Sequence, residues 1–177
     1  KYLQGKMSPE YEAADVSAKV FGSPVVLIIG ALDLPQCKKY RVLQKVEFFK
    51  SIGWEAHYAH YLDEPRVVSY MQISTAVIFY RVPMSSTMED YLKESSRLGL
   101  KTFYDIDDPI FNLPVYRENK NLDHIEAHER AHLLRGSGDY REAMERVEAL
   151  ILSTNYLKDL AFSDLRKPVF LWQNLAD

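Results

Sequence analysis

Continuous apolar runs and apolar residues at helical spacing take turns along this chain. PVVLII, residues 24–29, has no polar alternation, the mark of a strand buried on both faces, and Gly30 ends it. Val42, Val46, Phe49 and Ile52 then fall at helical spacing, and Gly53 supplies the stop for a helix over 38–52. The pair repeats. Further strands are predicted at 54–60 (WEAHYAH), 75–80 (TAVIFY), 101–105 (KTFYD), 149–153 (ALILS) and 168–172 (PVFLW). Between them the pattern predicts helices near 64–72, 86–98 (closing at Gly99), 121–135, 140–148 and 155–162, with RGSG at 135–138 as the break between two of these. Ahead of the repeating part, Ser8 as N-cap and Pro9 at the first helical position predict a helix running to about Phe21.

Strands and helices alternating over connections this short imply a parallel sheet with right-handed crossovers. The expected fold class is α/β, a doubly wound, mostly parallel Rossmann-like sheet over 24–177 with an N-terminal helical extension over 1–23. Ligands of such sheets bind beyond the carboxyl ends of the strands, where strand order reverses. With the common order 3-2-1-4-5-6, the first and fourth strands are neighbours, and residues 30–41 and 105–108 share one crevice. Arg81, Ser153, Thr154, Asn155 and Asn174 would line the same edge.

Composition narrows the class without naming a ligand. At 177 residues, 47% hydrophobic and 27% charged, the chain suits one globular domain rather than a disordered or fibrous one. A formal net charge of -3 gives no global attraction for nucleic acid. No apolar run reaches the roughly 18–20 residues of a membrane span, and no secretory signal opens the chain. Cys37 is the single cysteine, which agrees with a reducing compartment. The start at Lys1 and the finish at LWQNLAD, just after an apolar strand, lead us to expect a segment of a longer polypeptide.

Two charged clusters follow strands. YDIDDPIF, residues 104–111, crowds Asp105, Asp107 and Asp108 together, and Pro109 holds Asp108 extended. Three close carboxylates repel one another unless a cation, a proton or a donor compensates. They could pair with arginines, accept hydrogen bonds from substrate hydroxyls, or supply a base. CKKYR, residues 37–41, stands at a helix start, where cations oppose the macrodipole. Lys38, Lys39 and Arg41 therefore imply a negative partner, either a phosphate-bearing ligand or the acidic cluster itself. No GxGxxG or GxxxxGK[ST] occurs, which disfavours a dinucleotide. His124, His128 and His132 fall at i, i+4 and i+8 of an expected helix, but the outer two would lie roughly 12 Å apart along the axis, too far for one zinc ion. No metal ligand set is assigned.

As a set, CKKYRVLQKVEFFKSIGWEAHY, VIFYRVP, LGLKTFYDIDDPIF, LILSTNYL and VFLWQNLAD resemble the N-terminal domain of bacterial group 1 (family 4-like) glycosyltransferases with the glycosyltransferase-B fold. The resemblance covers about 24–177. It implies a cytoplasmic transferase, retaining and metal-independent, that moves a sugar from a nucleotide-sugar donor to a glycan or lipid-linked acceptor in polysaccharide or glycoconjugate synthesis. The donor is a co-substrate, so no cofactor is implied. Acceptor binding falls to this half, with peripheral membrane contact through the acceptor, and donor binding to a C-terminal domain absent from this chain. The resemblance makes Asp105, Asp107 and Asp108 cleft residues for sugar hydroxyls or a base role. Arg41 and Arg81 become candidates for anionic groups, joined by Lys38 from the CKKYR charge pattern, Ser153, Thr154 and Asn155 face the cleft, and Asn174 marks the hinge. The family's glycine-rich loop is replaced here by ALDLPQCKKYR. A non-catalytic glycan-binding or protein-docking module on the same fold is the alternative.

Overall fold

The computed structural model describes Gly22 and residues 24–174. The helix expected from Ser8 to Phe21, and with it most of the 1–23 extension, lies outside the described residues. Six strands form one sheet: β1 (Val25–Gly30), β2 (Glu55–His60), β3 (Ala76–Tyr80), β4 (Lys101–Ile106), β5 (Ala149–Leu152) and β6 (Val169–Leu171). Every pairing is parallel. The α/β, Rossmann-like class is therefore as expected.

The order differs from the one expected. It is β2-β1-β3-β4-β5-β6, so β3 stands between β1 and β4. The reversal of strand order falls between β1 and β3, and those two strands form the switch point. Alternation of strands and helices is the same for both orders, which is why the pattern alone could not separate them.

The helices divide unequally between two cores. On one face Leu27, Ile29, Val77, Phe79, Tyr104, Leu150 and Leu152 meet side chains of four helices. These are α2 (Glu64–Ile73), α3 (Ser86–Leu98), α5 (Ala127–Arg146) and α6 (Asn155–Leu165), which supply Met71, Met88, Met144 and Leu157 among others. On the other face Val26, Ile28, Ile78, Tyr80 and Ile151 meet Val42, Val46 and Phe49. The last two belong to α1 (Gln44–Ser51). Burying one such aliphatic side chain contributes about 1.5–3 kcal/mol, so the continuous apolar strands anchor both layers at once.

Two local features depart from the expected elements. Residues 35–51 form one continuous helical run: a single α turn (Pro35–Cys37), a π-helical stretch (Lys38–Leu43), then α1. Residues 120–146 are not two helices broken at RGSG. A 3-10 turn (Lys120–His124) is followed by one 20-residue α5 that passes straight through the glycines. Two helical glycines cost about 1 kcal/mol each. Buried Ser137 between them offsets part of this by donating to the Ile110 carbonyl at 2.5 Å. A short α4 (Leu113–Arg117) precedes the 3-10 turn.

Candidate functional site: the carboxyl edge of β4

The chemistry-bearing residues gather where β4 leaves the sheet, in a buried layer and an open one. Asp105 is in the buried layer, with an exposure of 0%. The Arg41 guanidinium donates through Nη2 to Asp105 Oδ1. The Lys45 ammonium stands 2.7 Å from Oδ2, an ion pair outside hydrogen-bond geometry. Lys45 also donates to the Arg41 carbonyl at 2.8 Å. Arg41 Nη1 donates to the Trp172 carbonyl at 2.7 Å and to Asn174 Oδ1 at 3.0 Å. Burial holds the Lys45 pKa below its usual value, and the attraction of Asp105 offsets only part of that.

Arg41 and Asp105 are thus structural partners inside the protein, not groups presented to a ligand. Of the two partners the sequence allowed for the CKKYR cations, Arg41 takes the internal one. Lys38 turns elsewhere: its ammonium lies 5.4 Å over the ring of Tyr58, a residue of β2, which β1 and β3 separate from β4. The structure does not bring Lys38 to the acidic cluster.

Asp107 and Asp108 form the open layer, 17% and 33% exposed. Arg81 Nη1 reaches Asp108 Oδ2 at 2.9 Å and Asp107 Oδ1 at 3.6 Å. Tyr80 donates to Asp107 Oδ1 at 3.4 Å. Arg81 sits at φ 50°, a left-handed conformation that a non-glycine residue adopts at a cost of about 1–3 kcal/mol. Its amide donates to the Asp105 carbonyl at 3.2 Å, so the strained backbone stays hydrogen-bonded to β4 while its side chain faces the carboxylates. Burial raises the Asp108 pKa; Arg81 works against that rise and Asp107 adds to it. Burial opposes the Arg81 charge, but Asp108, Tyr80 and Asp107 together raise its pKa further. Three cations, Arg41, Lys45 and Arg81, stand against three carboxylates, so the cluster is neutral as a whole.

The β5–α6 turn adjoins this rim. Ser153 donates to the Asp107 carbonyl at 3.4 Å. Thr154 is the N-cap of α6, its hydroxyl accepting from the Leu157 amide at 3.2 Å, and Asn155 follows it, exposed. Asn174 is held at the same edge by Arg41.

Three contributors were not singled out from sequence. Lys45 occupies the apolar stripe of Val42, Val46 and Phe49, and a lysine inside such a stripe is the signal that could have found it. Tyr116 and Tyr140 pack against the larger core, and their phenol pKa values are raised first by burial, with Asp108 and Arg81 among the charges acting on them. Nothing in the local sequence connects them to β4.

A Cβ on Gly30 would stand 3.1 Å from Tyr80 Cβ, so the missing side chain there admits the neighbouring strand's tyrosine. Among the described residues, no group of three or more His, Cys, Asp or Glu is placed to hold a metal ion.

No protein-family model matches the chain, and no curated protein does either. Among solved structures it is similar to a short-chain dehydrogenase/reductase from Veillonella parvula in complex with NADP, at 10% identity over 74% of this chain and 69% of that one, with a TM-score of 0.49. It is also similar to a UDP-glucosyltransferase from Polygonum tinctorium capable of glucosylating indoxyl, at 11% identity over 88% of this chain and 52% of that one, with a TM-score of 0.46. The chain spans about half the length of that glucosyltransferase. Likenesses of this size carry no weight for activity or ligand, so the reading of function rests on the β4 rim.

Proposed function

We propose that this chain is the acceptor-side half of a glycosyltransferase, which moves a sugar from a nucleotide-sugar donor to a glycan or lipid-linked acceptor in polysaccharide or glycoconjugate synthesis. One observation carries the reading: two part-exposed carboxylates, Asp107 and Asp108, held by a strained Arg81 at the carboxyl edge of the sheet beside the start of α6. Carboxylates there accept hydrogen bonds from sugar hydroxyls. The sequence resemblance supplies the reaction class.

In this reading the bond from the sugar's anomeric carbon to the nucleotide phosphate breaks and a bond to the acceptor oxygen forms. The acceptor's hydroxyl proton leaves. Asp108 suits that proton because its raised pKa brings it closer to the operating pH than an ordinary aspartate. Asp107 orients hydroxyls, Arg81 holds both carboxylates, and Ser153, Thr154 and Asn155 close the edge. Arg41 and Asp105 support the rim from below. Retention, metal independence, donor binding by a separate domain and acceptor capture at the inner face of a membrane belong to the same proposal.

The test is a screen of nucleotide sugars against the full polypeptide, with product detection, alongside Asp107→Asn. Sugar transfer that falls by up to about a hundredfold in the variant, the scale of a misplaced reacting group, supports the proposal. Transfer unchanged by Asp107→Asn removes Asp107 from the mechanism. Glycan binding without turnover would favour the module reading, which the internal neutralisation of all three cations also suits.

A further inference from the structure

We infer that the buried Arg41–Asp105–Lys45 cluster is a latch, holding the segment that leaves β6 (Trp172–Asn174) against the core and fixing the direction in which the chain departs from the sheet. This inference stands apart from the proposed function.

β6 is weakly held on its own. It has three residues, pairs only with β5 among the described residues, and leaves Phe170 and Leu171 exposed. A three-residue edge strand with outward apolar side chains has little to stop it peeling away. The segment after it is nevertheless tied down at Trp172 and Asn174. The Trp172 amide donates to the Leu152 carbonyl at 2.8 Å. The Trp172 carbonyl and the Asn174 side chain both receive Arg41 Nη1, across 131 and 133 residues of sequence. The Trp172 ring lies 5.2 Å from the Lys45 ammonium, with its centroid 4.9 Å from that of Phe48 and 5.6 Å from that of Phe49.

The charge count points the same way. One buried carboxylate needs one buried cation, and Arg41 already bonds Asp105. A second buried cation is a desolvation cost unless it has further work. Lys45 has that work in the face of Trp172, where a desolvated cation–π contact is strongest. Arg41, with five donors in a fixed fork, is suited to grip a carboxylate on one side and a carbonyl and an amide oxygen on the other.

Amide hydrogen exchange on the full chain tests the latch. Arg41→Met should speed exchange of the Trp172 amide by about ten- to a hundredfold, the ratio carried by a hydrogen bond to a charged group, beyond any acceleration it shares with the β1 and β3 amides. Asn174→Ala removes one exposed partner only and should give a smaller acceleration at the same segment. In a Trp54→Phe background Trp172 is the single tryptophan left of two, and its emission should move to the red when Arg41 is replaced. Exchange at Trp172 within about twofold of the parent in a folded Arg41→Met chain would overturn the latch. Should Arg41→Met fail to fold, Arg41→Lys and Asn174→Ala decide. Unchanged exchange at residues 172–174 in both would overturn the latch, and acceleration confined to that segment would uphold it.

Discussion

Lys45 shows what burial does to a charged residue that must keep a partner. Its pKa is lowered below 10.5 by burial, so between the lowered value and 10.5 the unfolded chain binds more protons than the folded one. Stability contributed by this group therefore rises with pH across that alkaline window. Urea midpoints measured through it should climb in the parent relative to Lys45→Met. Asp105→Asn leaves two buried cations without their anion and should cost about 3–5 kcal/mol, read from the same curves. Asp108 has the opposite sign to Lys45. Its folded pKa is raised above 3.8, so its contribution is greatest at low pH and declines as pH rises through the raised value. Carbon-13 titration of the Asp108 carboxyl should give a midpoint above 3.8, and a midpoint at or below it would remove the desolvation argument. The acidic triplet was legible as a cluster in need of a counter-charge. Which cation answers which carboxylate was not, because the pairing follows from the wide turn that carries Arg41 and Lys45 over β4.

At the scale of elements, the strands were the most readable part, since a continuous apolar run buried on both faces has few other structures open to it. Helix starts were readable where a side chain caps them. Ser85 accepts from the Met88 amide at 3.2 Å to open α3, and Gly99 closes it at φ 67°. Thr154 does for α6 what Ser85 does for α3. Thr154→Ala should thus lower stability by about 1 kcal/mol whether or not any ligand is present, a loss read in chemical denaturation. A rim residue with a cap to maintain has two reasons for its identity, and only the denaturation experiment separates them. RGSG misled because glycine propensity is a local quantity. The packing that overrides it, Ser137 against the Ile110 carbonyl, joins residues 27 apart.

At the scale of the whole molecule, the class was legible and the strand order was not. Crossovers of similar length connect either arrangement. The observed order still brings the basic turn after β1 to the acidic turn after β4, because the first helix leans across β3 and places Arg41 on Asp105. Both tryptophans, Trp54 and Trp172, lie against Phe49 on the α1 face, so tryptophan fluorescence reports that face. Among the described residues most helical ones pack on the other face and weigh more in far-UV circular dichroism. If the two layers share one cooperative unit, the two signals should give coincident denaturation midpoints; separated midpoints would show that the α1 layer melts independently.

The π-helical stretch over Lys38–Leu43 also governs how this fold tolerates deletions. Its turns hold more residues than α-helical ones, so loss of one residue there lets the backbone relax to the common winding. Each residue of an α-helix turns the chain by about 100° about the axis, so a one-residue loss within α1, where no wide turn can absorb it, would swing the core-facing side chains after it out of phase. Point substitutions along 38–43 alter one side chain apiece. A single-codon deletion within α1 resets the angle of every helical residue after it, and should be more damaging than a deletion within 38–43 in a scan of shortened variants.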